Sequence, residues 1–535
     1  MNRNAELAQL RSGPPLDLLV IGGGIAGAGV ALEAARAGVR VALVEAQDFA
    51  SGTSSRSSKL VHGGLRYLAQ GRLGLTRESL HERNALLREA AGLVQPLRFL
   101  LPVRQGDRNG RHMLGLGLTV YDTLAGQRTR QWRTVAELLA DAPGIEPAGL
   151  IGGWSYLDAQ VDDARLVLRV LAEARHLGAS TINHLRAESL TLAASQVNGA
   201  TLHDLASGQR FPVSARCVIN ATGAWTDKLR AQVGRNPVMR PLRGSHLLLP
   251  DWRLPVAQAV AFFHPRDGRP VYALPWEGAT LVGTTDLDHR EDLEQEPGIT
   301  RAEFDYLLDA LRQTFPSLGQ TQADVRSTWS GVRPVVGSGQ GVDPSKETRE
   351  HLVADEDGLL TVTGGKLTTF RSTALLVLKE AARYIPALAK VRTDGHIFAA
   401  VPPAAAAALE ALPPAQRSRW LGRFGALAPQ VLQAAHEGEL QTIANTDIAW
   451  AELRWACRAE AVAHLDDLLL RRTRLGLLLP HGAEDRLRDL KPLVQEELGW
   501  DDERWQLECE RYRLVIARSY SIPPHAVDAP AEVIR

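Results

Sequence analysis

The segment Leu16–Glu45 reads LDLLVIGGGIAGAGVALEAARAGVRVALVE and contains three secondary-structure elements. Leu16–Ile21 is a mainly apolar run of strand length, and apolar residues recur at helical spacing from Ile25 to Ala37. Val39–Val44 is a second apolar strand. A strand, a helix and a strand in this order form a parallel pair, because the crossover helix returns the chain to the same end of the sheet. The segment therefore predicts an α/β fold with a Rossmann-type parallel sheet.

The turn between the first strand and the helix has the spacing Gly22-x-Gly24-x-x-Gly27. The first glycine permits a tight turn, the second lets the backbone approach a pyrophosphate, and the third allows close helix–strand packing. The helix N-terminus adds partial positive charge at the same place. Glu45 ends the second strand, where a carboxylate accepts hydrogen bonds from ribose hydroxyls and repels a 2′-phosphate. We predict a bound dinucleotide other than NADP.

The rest of the chain differs from this unit in its pattern of apolar residues. Short β-like runs between about 245 and 290 predict an antiparallel sheet separate from the parallel one. Another glycine turn, Thr363–Lys366, precedes a predicted helix over about 367–384. The Pro/Ala-rich segment 401–416 indicates a domain boundary, and the sequence beyond it is helical in pattern to its end.

Composition excludes several classes of protein. The chain has 535 residues with 61 basic and 61 acidic side chains, and this balance argues against a nucleic-acid binder. Its three cysteines are Cys217, Cys457 and Cys509, too far apart for a CxxC pair, which fits a reducing cytosol. The histidines show no HxH or HExxH spacing, so we predict no metal site. We expect no spanning segment and no signal peptide, and we interpret residues 1–16 as a short tail.

A polar loop follows Glu45 and leaves the choice between FAD and NAD open. It reads GTSSRSSKL over Gly52–Leu60 and is followed by VHGGLRY over Val61–Tyr67. Hydroxyls and exposed amides suit a phosphate or the edge of an isoalloxazine ring. The same composition also fits an ordinary solvated serine-rich loop.

Several motifs occur together in one known group of enzymes. They are the serine loop with HGGLRYL, VDDARL (161–166), NATGAW (220–225), GTTD (283–286), SGVRP (330–334) and GGKLTTFR (364–371). In these motifs the chain resembles the aerobic, FAD-dependent glycerol-3-phosphate dehydrogenases of the D-amino-acid-oxidase-like flavoprotein superfamily. The resemblance covers about residues 17–384 strongly and the helical remainder more loosely. A longer N-terminal segment, Ser51-Gly52 and Arg56 depart from the family pattern and affect local contacts only.

The resemblance implies a non-covalent FAD and a division of the chain into domains. After the 1–16 tail, the FAD-binding domain would comprise 17–105, 150–240 and 331–395, the substrate-binding cap 106–149 and 241–330, and the helical C-terminal domain 405–535. The implied FAD-binding residues are Gly22, Gly24, Ile25, Ala26, Gly27, Glu45, Thr53, Ser54, Ser55, Ser58, Lys59, Leu60, Thr222, Gly223, Gly365, Lys366, Leu367 and Thr368.

The implied substrate is sn-glycerol 3-phosphate, oxidised to dihydroxyacetone phosphate by hydride transfer to FAD. A phosphate dianion is bound well by arginine forks and a lysine point charge. The family's cationic pocket is matched by Arg66, Arg333, Arg349 and Lys366, with Tyr67 as a phenol donor beside them. Arginine is a poor base, whereas histidine has an unperturbed pKa of about 6.5. We therefore assign His62 as the general base, with packing against the flavin as its alternative role, and Arg333 as the group that holds the alkoxide or the phosphate.

The resemblance also implies partners, and alternatives remain open. Electrons would pass to membrane quinone, so we expect a cytoplasmic protein attached peripherally to the inner membrane surface. A homodimer is the oligomeric arrangement that we consider. Alternatives are an oxidase that uses oxygen, a related amine or amino-acid oxidase, and a flavin-bound protein without turnover.

Two basic stretches in the C-terminal part are candidates for membrane contact. RSRWLGRF, over 417–424, mixes arginines with aromatic residues as interfacial helices do. Arg419, Trp420 and Arg423 are our first choice, and LRRTRL, over 470–475, is the second. The alternative is that either stretch is an ordinary solvated helix face.

Overall fold

The computed structural model describes residues 3–107, 110–337, 351–392 and 395–524. Its strands are β1 Leu16–Ile21, β2 Val41–Val44, β3 Leu60–Val61, β4 Val94–Arg104, β5 Gln131–Arg133, β6 Leu150–Val161, β7 Ser180–Ile182, β8 Leu185–Ala193, β9 Gln196–Asp204, β10 Arg210–Asn220, β11 Met239–Pro250, β12 Ala259–Phe263, β13 Pro270–Trp276, β14 Ala279–Gly283, β15 Leu287–Asp288, β16 Ser327–Val336, β17 Leu352–Glu356 and β18 Leu359–Thr363.

The α-helices are α1 Arg3–Ser12, α2 Ile25–Arg36, α3 Leu65–Ala69, α4 Leu73–Glu89, α5 Arg111–Ala125, α6 Val135–Asp141, α7 Asp163–His176, α8 Thr226–Gln232, α9 Arg301–Thr314, α10 Phe370–Ala381, α11 Pro403–Ala407, α12 Pro414–Phe424, α13 Ala428–Ala434, α14 Trp450–Ala459, α15 Leu475–Leu478, α16 Leu487–Leu498 and α17 Asp502–Val515. Two wider turns of π-helix lie at Asp467–Arg472 and Ile516–Tyr520.

The first sheet is the predicted parallel one. Its central strands run in the order β18-β10-β1-β2-β7 and are all parallel, with β17 antiparallel at one edge. Helices α2, α7 and α10 pack together in the hydrophobic core on one face of this sheet. The β-α-β unit predicted from Leu16–Glu45 is confirmed, with the second strand beginning at Val41 rather than Val39.

The N-terminal segment is not a free tail. Residues Arg3–Ser12 form α1, which buries Leu7 and Leu10 in the core on the other face of the first sheet. Arg3 Nη2 also pairs with Asp204 Oδ1 at 2.7 Å. The apolar spacing within this short segment was overlooked in the sequence, and the tail interpretation is wrong.

The second sheet is mostly antiparallel, as predicted, and larger than the range proposed for it. Its described strands follow the order β15-β11-β14-β13-β12-β4-β6-β3, with β16 on β11 and β5 on β6. Strands β4 and β6 were assigned to the FAD-binding ranges 17–105 and 150–240. They belong here instead, because β4 pairs with β12 in parallel and with β6 along its whole length.

The helical C-terminal region packs against the second sheet. One core cluster contains Trp276 and Trp329 from that sheet together with Leu468, Leu475 and Tyr512 from the helices. Among the described helices, none is both long and apolar enough to cross a bilayer.

Candidate active site

The glycine turn after β1 has the geometry that its sequence predicts. Gly22 has φ +118°, a value that glycine adopts without the steric cost that a side chain would bring. A Cβ at Gly22 would clash with the carbonyl of Ala221, and a Cβ at Gly27 would clash with the carbonyl of Gly22. The turn, the start of α2 and the end of β10 are therefore pressed together with no room for side chains.

Glu45 follows β2 and is fixed by the backbone of the same turn. Its Oε2 accepts a hydrogen bond from Gly23 N at 2.6 Å, and its Oε1 accepts one from Gln47 N at 2.8 Å. Burial raises the pKa of Glu45, and these two backbone donors oppose that rise. The carboxylate is thus held in one orientation at the edge of a cavity.

The cavity has a volume of about 480 Å³ and opens at the carboxyl ends of β1, β2, β10 and β18. This is the edge at which ligands bind in open α/β sheets. Twelve of the predicted FAD-binding residues line it: Gly22, Gly24, Ile25, Ala26, Glu45, Thr53, Ser54, Thr222, Gly223, Gly365, Lys366 and Leu367. The bare glycine turn, the N-terminus of α2 and the Glu45 carboxylate suit the pyrophosphate and ribose of FAD, so the residues present fit this cofactor.

Six predicted FAD-binding residues do not line the cavity. Gly27 serves helix–strand packing, and Leu60 pairs with Gln160 in the second sheet. The carbonyl of Ser55 accepts a hydrogen bond from Lys59 Nζ at 2.6 Å. Ser58 Oγ is hydrogen-bonded to His246 Nε2 at 2.9 Å, and Lys59 Nζ donates to Asp163 Oδ1 at 2.9 Å. Thr368 Oγ1 accepts a hydrogen bond from His62 N at 3.2 Å.

Lys59 was predicted to bind FAD, but its side chain lies on the side of the loop that faces away from the cavity. Its ammonium is fully buried behind the loop, between Asp163 and the rings of Trp329 and Trp276. Burial lowers the pKa of Lys59 to about 8, and Asp163 opposes the effect. The lysine supports the loop from behind and does not reach the cavity.

Lys366 connects the cofactor cavity to the predicted substrate residues. Its Nζ lies 3.6 Å from the centroid of the Tyr67 ring and donates to Ser79 Oγ at 3.0 Å. Tyr67 is buried, whereas Arg66 beside it is exposed. His62 is half-buried in the turn that precedes these residues.

Arg333 is the residue before Pro334, which lines the cavity, although Arg333 itself is not among the lining residues. Its Nη1 pairs with Asp286 Oδ1 at 2.9 Å, and its Nη2 donates to Thr284 Oγ1 at 3.1 Å. A Cβ at Gly244 would clash with this guanidinium, so glycine there leaves the space that Arg333 occupies. The fourth predicted cation, Arg349, lies outside the described residues.

His246 lies beside Ser58 and Arg333, is not among the residues that line the cavity, and was missed in the sequence. It stands on β11 beside Gly283 of β14 and stacks on Trp329 of β16, with 5.2 Å between ring centroids. Burial, with Arg333 and Lys59 nearby, holds its pKa well below the usual range, so the ring is neutral. Its Nδ1 is buried and has no hydrogen-bond partner among the described residues. A histidine inside the apolar run SHLLLP was the available signal.

The arginines proposed for membrane contact are buried, and that prediction is wrong. Trp420 is inaccessible, Arg419 pairs with Glu277 at 2.6 Å, and Arg423 pairs with Asp162 at 3.1 Å. The second stretch is buried too: Arg471 and Arg472 both pair with Asp48, Arg472 at 2.7 Å. These arginines meet carboxylates from distant parts of the chain, which helical patterning could not reveal.

One group of possible metal ligands occurs in the described part of the chain: Asp48, His184 and Asp467. Arg471 pairs with both aspartates, and Arg472 also pairs with Asp48. Since guanidinium groups already compensate these carboxylates, we assign no metal to them.

Comparisons with known proteins agree with this geometry. The sequence profile of the family described as FAD dependent oxidoreductase matches residues 17–371, so the chain belongs to the FAD-dependent oxidoreductases and its cofactor is FAD. Residues 378–505 match the family described as C-terminal domain of alpha-glycerophosphate oxidase.

The names of the relatives found within this family describe a narrower group of enzymes. The chain is 41% identical over 369 residues to an aerobic glycerol-3-phosphate dehydrogenase from Staphylococcus saprophyticus, covering 68% of this chain and 66% of that protein. An aerobic glycerol-3-phosphate dehydrogenase from Staphylococcus aureus is 40% identical over 365 residues, covering 67% of this chain and 65% of that protein. The matched segment thus spans just under two thirds of the length of these curated relatives.

A solved structure extends the similarity over the full length. The glycerol-3-phosphate dehydrogenase from Bacillus halodurans complexed with FAD superposes with a TM-score of 0.78 at 28% identity, covering 98% of this chain and 99% of that one. The L-alpha-glycerophosphate oxidase from Mycoplasma pneumoniae shares the fold, with a TM-score of 0.56 at 17% identity over 73% of this chain and 99% of that one.

Proposed function

We propose that this chain oxidises sn-glycerol 3-phosphate to dihydroxyacetone phosphate with its FAD. The observation that carries the proposal is Lys366, which lines the FAD cavity and at the same time lies over the Tyr67 ring beside Arg66. A cation at the junction of the cofactor and the substrate residues suits a small dianion. The names of the Staphylococcus and Bacillus relatives support the same substrate.

The phosphate would be held by Lys366 and Arg66, together with Arg333, which precedes the cavity-lining Pro334. FAD supplies the hydride acceptor when it is bound. The protein must orient the secondary alcohol and remove its proton. Arg333 is itself oriented by Asp286 and Thr284, which fixes the direction of its guanidinium.

Two histidines compete for the role of general base. His62 remains our assignment, because it lies in the turn that carries Arg66 and Tyr67. His246 is a second candidate, since it is neutral and its buried Nδ1 has no partner among the described residues. Loss of a general base costs about 10²–10⁴ in rate.

His62→Gln and His246→Gln separate these roles when anaerobic flavin reduction by glycerol 3-phosphate is followed across pH. We expect a loss of that size, and of the corresponding limb of the pH profile, for His62→Gln only. The opposite pattern would transfer the role to His246.

We further propose that FAD is held non-covalently. Among the described residues that line the cavity there is neither a histidine nor a cysteine to which the flavin could be attached. Denaturation of the holoprotein should release all of the FAD into the filtrate. Flavin that stays with the precipitated protein would contradict this proposal.

Membrane quinone remains our proposed electron acceptor, and oxygen is the alternative. The oxidase alternative draws support from the match of residues 378–505. A related amine or amino-acid oxidase is less favoured, because such substrates need one carboxylate partner rather than a set of cations. Glycerol 3-phosphate should drive reduction of a soluble quinone analogue much faster than formation of hydrogen peroxide. Faster peroxide formation would favour the oxidase.

A different surface now supports peripheral membrane attachment of a protein made in the cytoplasm. Helix α5 buries Leu118 and Tyr121 on one side, yet on the other side it exposes Met113, Leu116 and Val120 at helical spacing. Exposed Arg111 and Arg128 flank this stripe. Apolar side chains bordered by arginines fit an anionic lipid surface.

Sedimentation with anionic liposomes tests this surface. Met113→Ser with Leu116→Ser should abolish binding, whereas Leu514→Ser, at an equally exposed leucine on α17, should leave it intact. Equal binding by both variants would remove α5 from the proposal. Binding by neither the parent nor the variants would favour a soluble acceptor. We retain a homodimer as a proposal that the mass in solution can test.

A further inference from the structure

The loop formed by residues 51–59, here called the cofactor loop, has a cavity side and a buried side. Ser51, Gly52, Thr53, Ser54 and Ser57 line the FAD cavity. Ser55, Arg56 and Lys59 are buried on the reverse side. The contacts of the buried side of the loop therefore determine the positions of the hydroxyl groups that line the cavity.

The centre of the support is Asp163, the first residue of α7, which is fully buried. Its Oδ2 accepts hydrogen bonds from Ser57 N at 3.0 Å and from Ser57 Oγ at 2.7 Å. The same carboxylate pairs with Lys59 Nζ at 2.9 Å and with the guanidinium of Arg474. Asp163 thus orients a serine that lines the cavity, although Asp163 itself is not among the lining residues.

Arg474 comes from the helical C-terminal region and reaches the loop backbone as well. Its Nη1 donates to the carbonyl of Ser55 at 3.3 Å, to which Lys59 Nζ donates at 2.6 Å. Its Nε donates to Asp162 Oδ1 at 2.9 Å, which fixes the guanidinium beside α7. Two buried cations therefore hold both the Asp163 carboxylate and a loop carbonyl.

We propose that Asp163 and Arg474 are positioning residues for the cofactor, and that the helical C-terminal region thereby controls how long FAD stays bound. Asp163 acts through the hydroxyl and the amide of Ser57, and Arg474 acts through Asp163 and the Ser55 carbonyl. Without them the cavity-lining part of the loop loses its fixed orientation. Charge-assisted hydrogen bonds of this kind are about twice as strong as neutral ones, so their loss should be measurable.

The dissociation rate of FAD from the holoprotein tests the proposal without any substrate, so its outcome is independent of the proposed reaction. The rise of free FAD fluorescence after dilution gives this rate. Asp163→Asn and Arg474→Lys should each release FAD about tenfold to a hundredfold faster than the parent. Arg454→Lys is the matched control, because Arg454 is equally buried and its carboxylate partners Glu439, Glu496 and Glu497 all belong to the C-terminal region. It should change the rate less than about twofold.

A double-mutant cycle with Ser57→Ala separates positioning from general loosening of the fold. If Asp163 acts in part through the Ser57 hydroxyl, the combined effect of Asp163→Asn and Ser57→Ala on the FAD dissociation rate should be smaller than the product of the two single effects, because Ser57→Ala removes the hydroxyl contact and leaves the amide contact. Multiplicative effects of the two changes would overturn the proposal. So would equal rates for Arg474→Lys and Arg454→Lys, a comparison that serves even where Asp163→Asn does not fold.

Discussion

Arg333 beside the FAD cavity and Arg472 in the C-terminal region both pair with an aspartate, yet their surroundings differ. Arg333 keeps 19% of its side chain accessible, and its partner Asp286 keeps 10%. The side chain of Arg472 has no accessible surface, and that of its partner Asp48 keeps 1%. The Arg472 guanidinium also donates to the carbonyl of Glu460. The partly accessible arginine stands next to a cavity-lining residue, where we propose that the substrate binds, whereas the arginine enclosed by carboxylates and carbonyls serves the fold.

The largest effect that this comparison predicts is on stability. Asp48→Ala removes the carboxylate shared by Arg471 and Arg472 and should lower the free energy of unfolding by about 3–5 kcal/mol, because the buried Arg472 loses its carboxylate partner and Arg471 keeps only Asp466 and Asp467. Urea unfolding measures this, and the KM of the folded fraction for glycerol 3-phosphate should not change. A loss below about 1 kcal/mol would mean that this cluster behaves like a surface ion pair.

Arg333→Ala should lower the catalytic efficiency, in contrast with Asp48→Ala, which should lower the stability. We expect a loss of about 2–5 kcal/mol of transition-state stabilisation in kcat/KM for glycerol 3-phosphate, with smaller losses for glycerol. Arg349→Ala should behave similarly, although Arg349 lies outside the described residues. If both variants keep the parental efficiency, the cationic pocket has been assigned to the wrong residues.

A smaller effect is expected at the cofactor end of the cavity. Glu45→Gln should weaken FAD binding by about 1–2 kcal/mol, because the carboxylate charge is lost. In addition, the NH2 of the glutamine would replace one of the two oxygens that accept hydrogen bonds from Gly23 N and Gln47 N. Equilibrium titration of the apoprotein with FAD gives the difference. An unchanged dissociation constant would remove Glu45 from the ribose site.

The pH dependence of unfolding sharpens the comparison further. Arg472 and Arg471 lower the pKa of Asp48, and Arg474 and Arg423 lower the pKa of Asp162, both against the effect of burial. Their stabilisation is therefore present above the unfolded pKa of about 3.9 and is lost as pH falls toward the folded values. Each group should contribute up to about 1.4 kcal/mol per pH unit in that window. An acid-unfolding slope that is the same in Asp48→Ala and in the parent would contradict this assignment.

The parts of the molecule that the sequence predicted are those whose determinants lie close together in the chain. The β-α-β unit, Glu45 and the glycine turn at 364–365 depend on neighbouring residues, and the structure brings them to one cavity. The buried arginines could not be recognised, because Arg472 and Asp48 are 424 residues apart. The pairing of β4 with β12, and the position of His246 beside Arg333, likewise arise from long-range strand pairing.

The central claim is that glycerol 3-phosphate reduces the FAD of this protein at the cationic pocket. Anaerobic addition of glycerol 3-phosphate to the yellow holoprotein should bleach the flavin absorbance, and glycerol at the same concentration should not. Arg333→Ala should retain the yellow colour and bleach far more slowly. A holoprotein that stays yellow with glycerol 3-phosphate, or that bleaches equally with glycerol, would contradict the account.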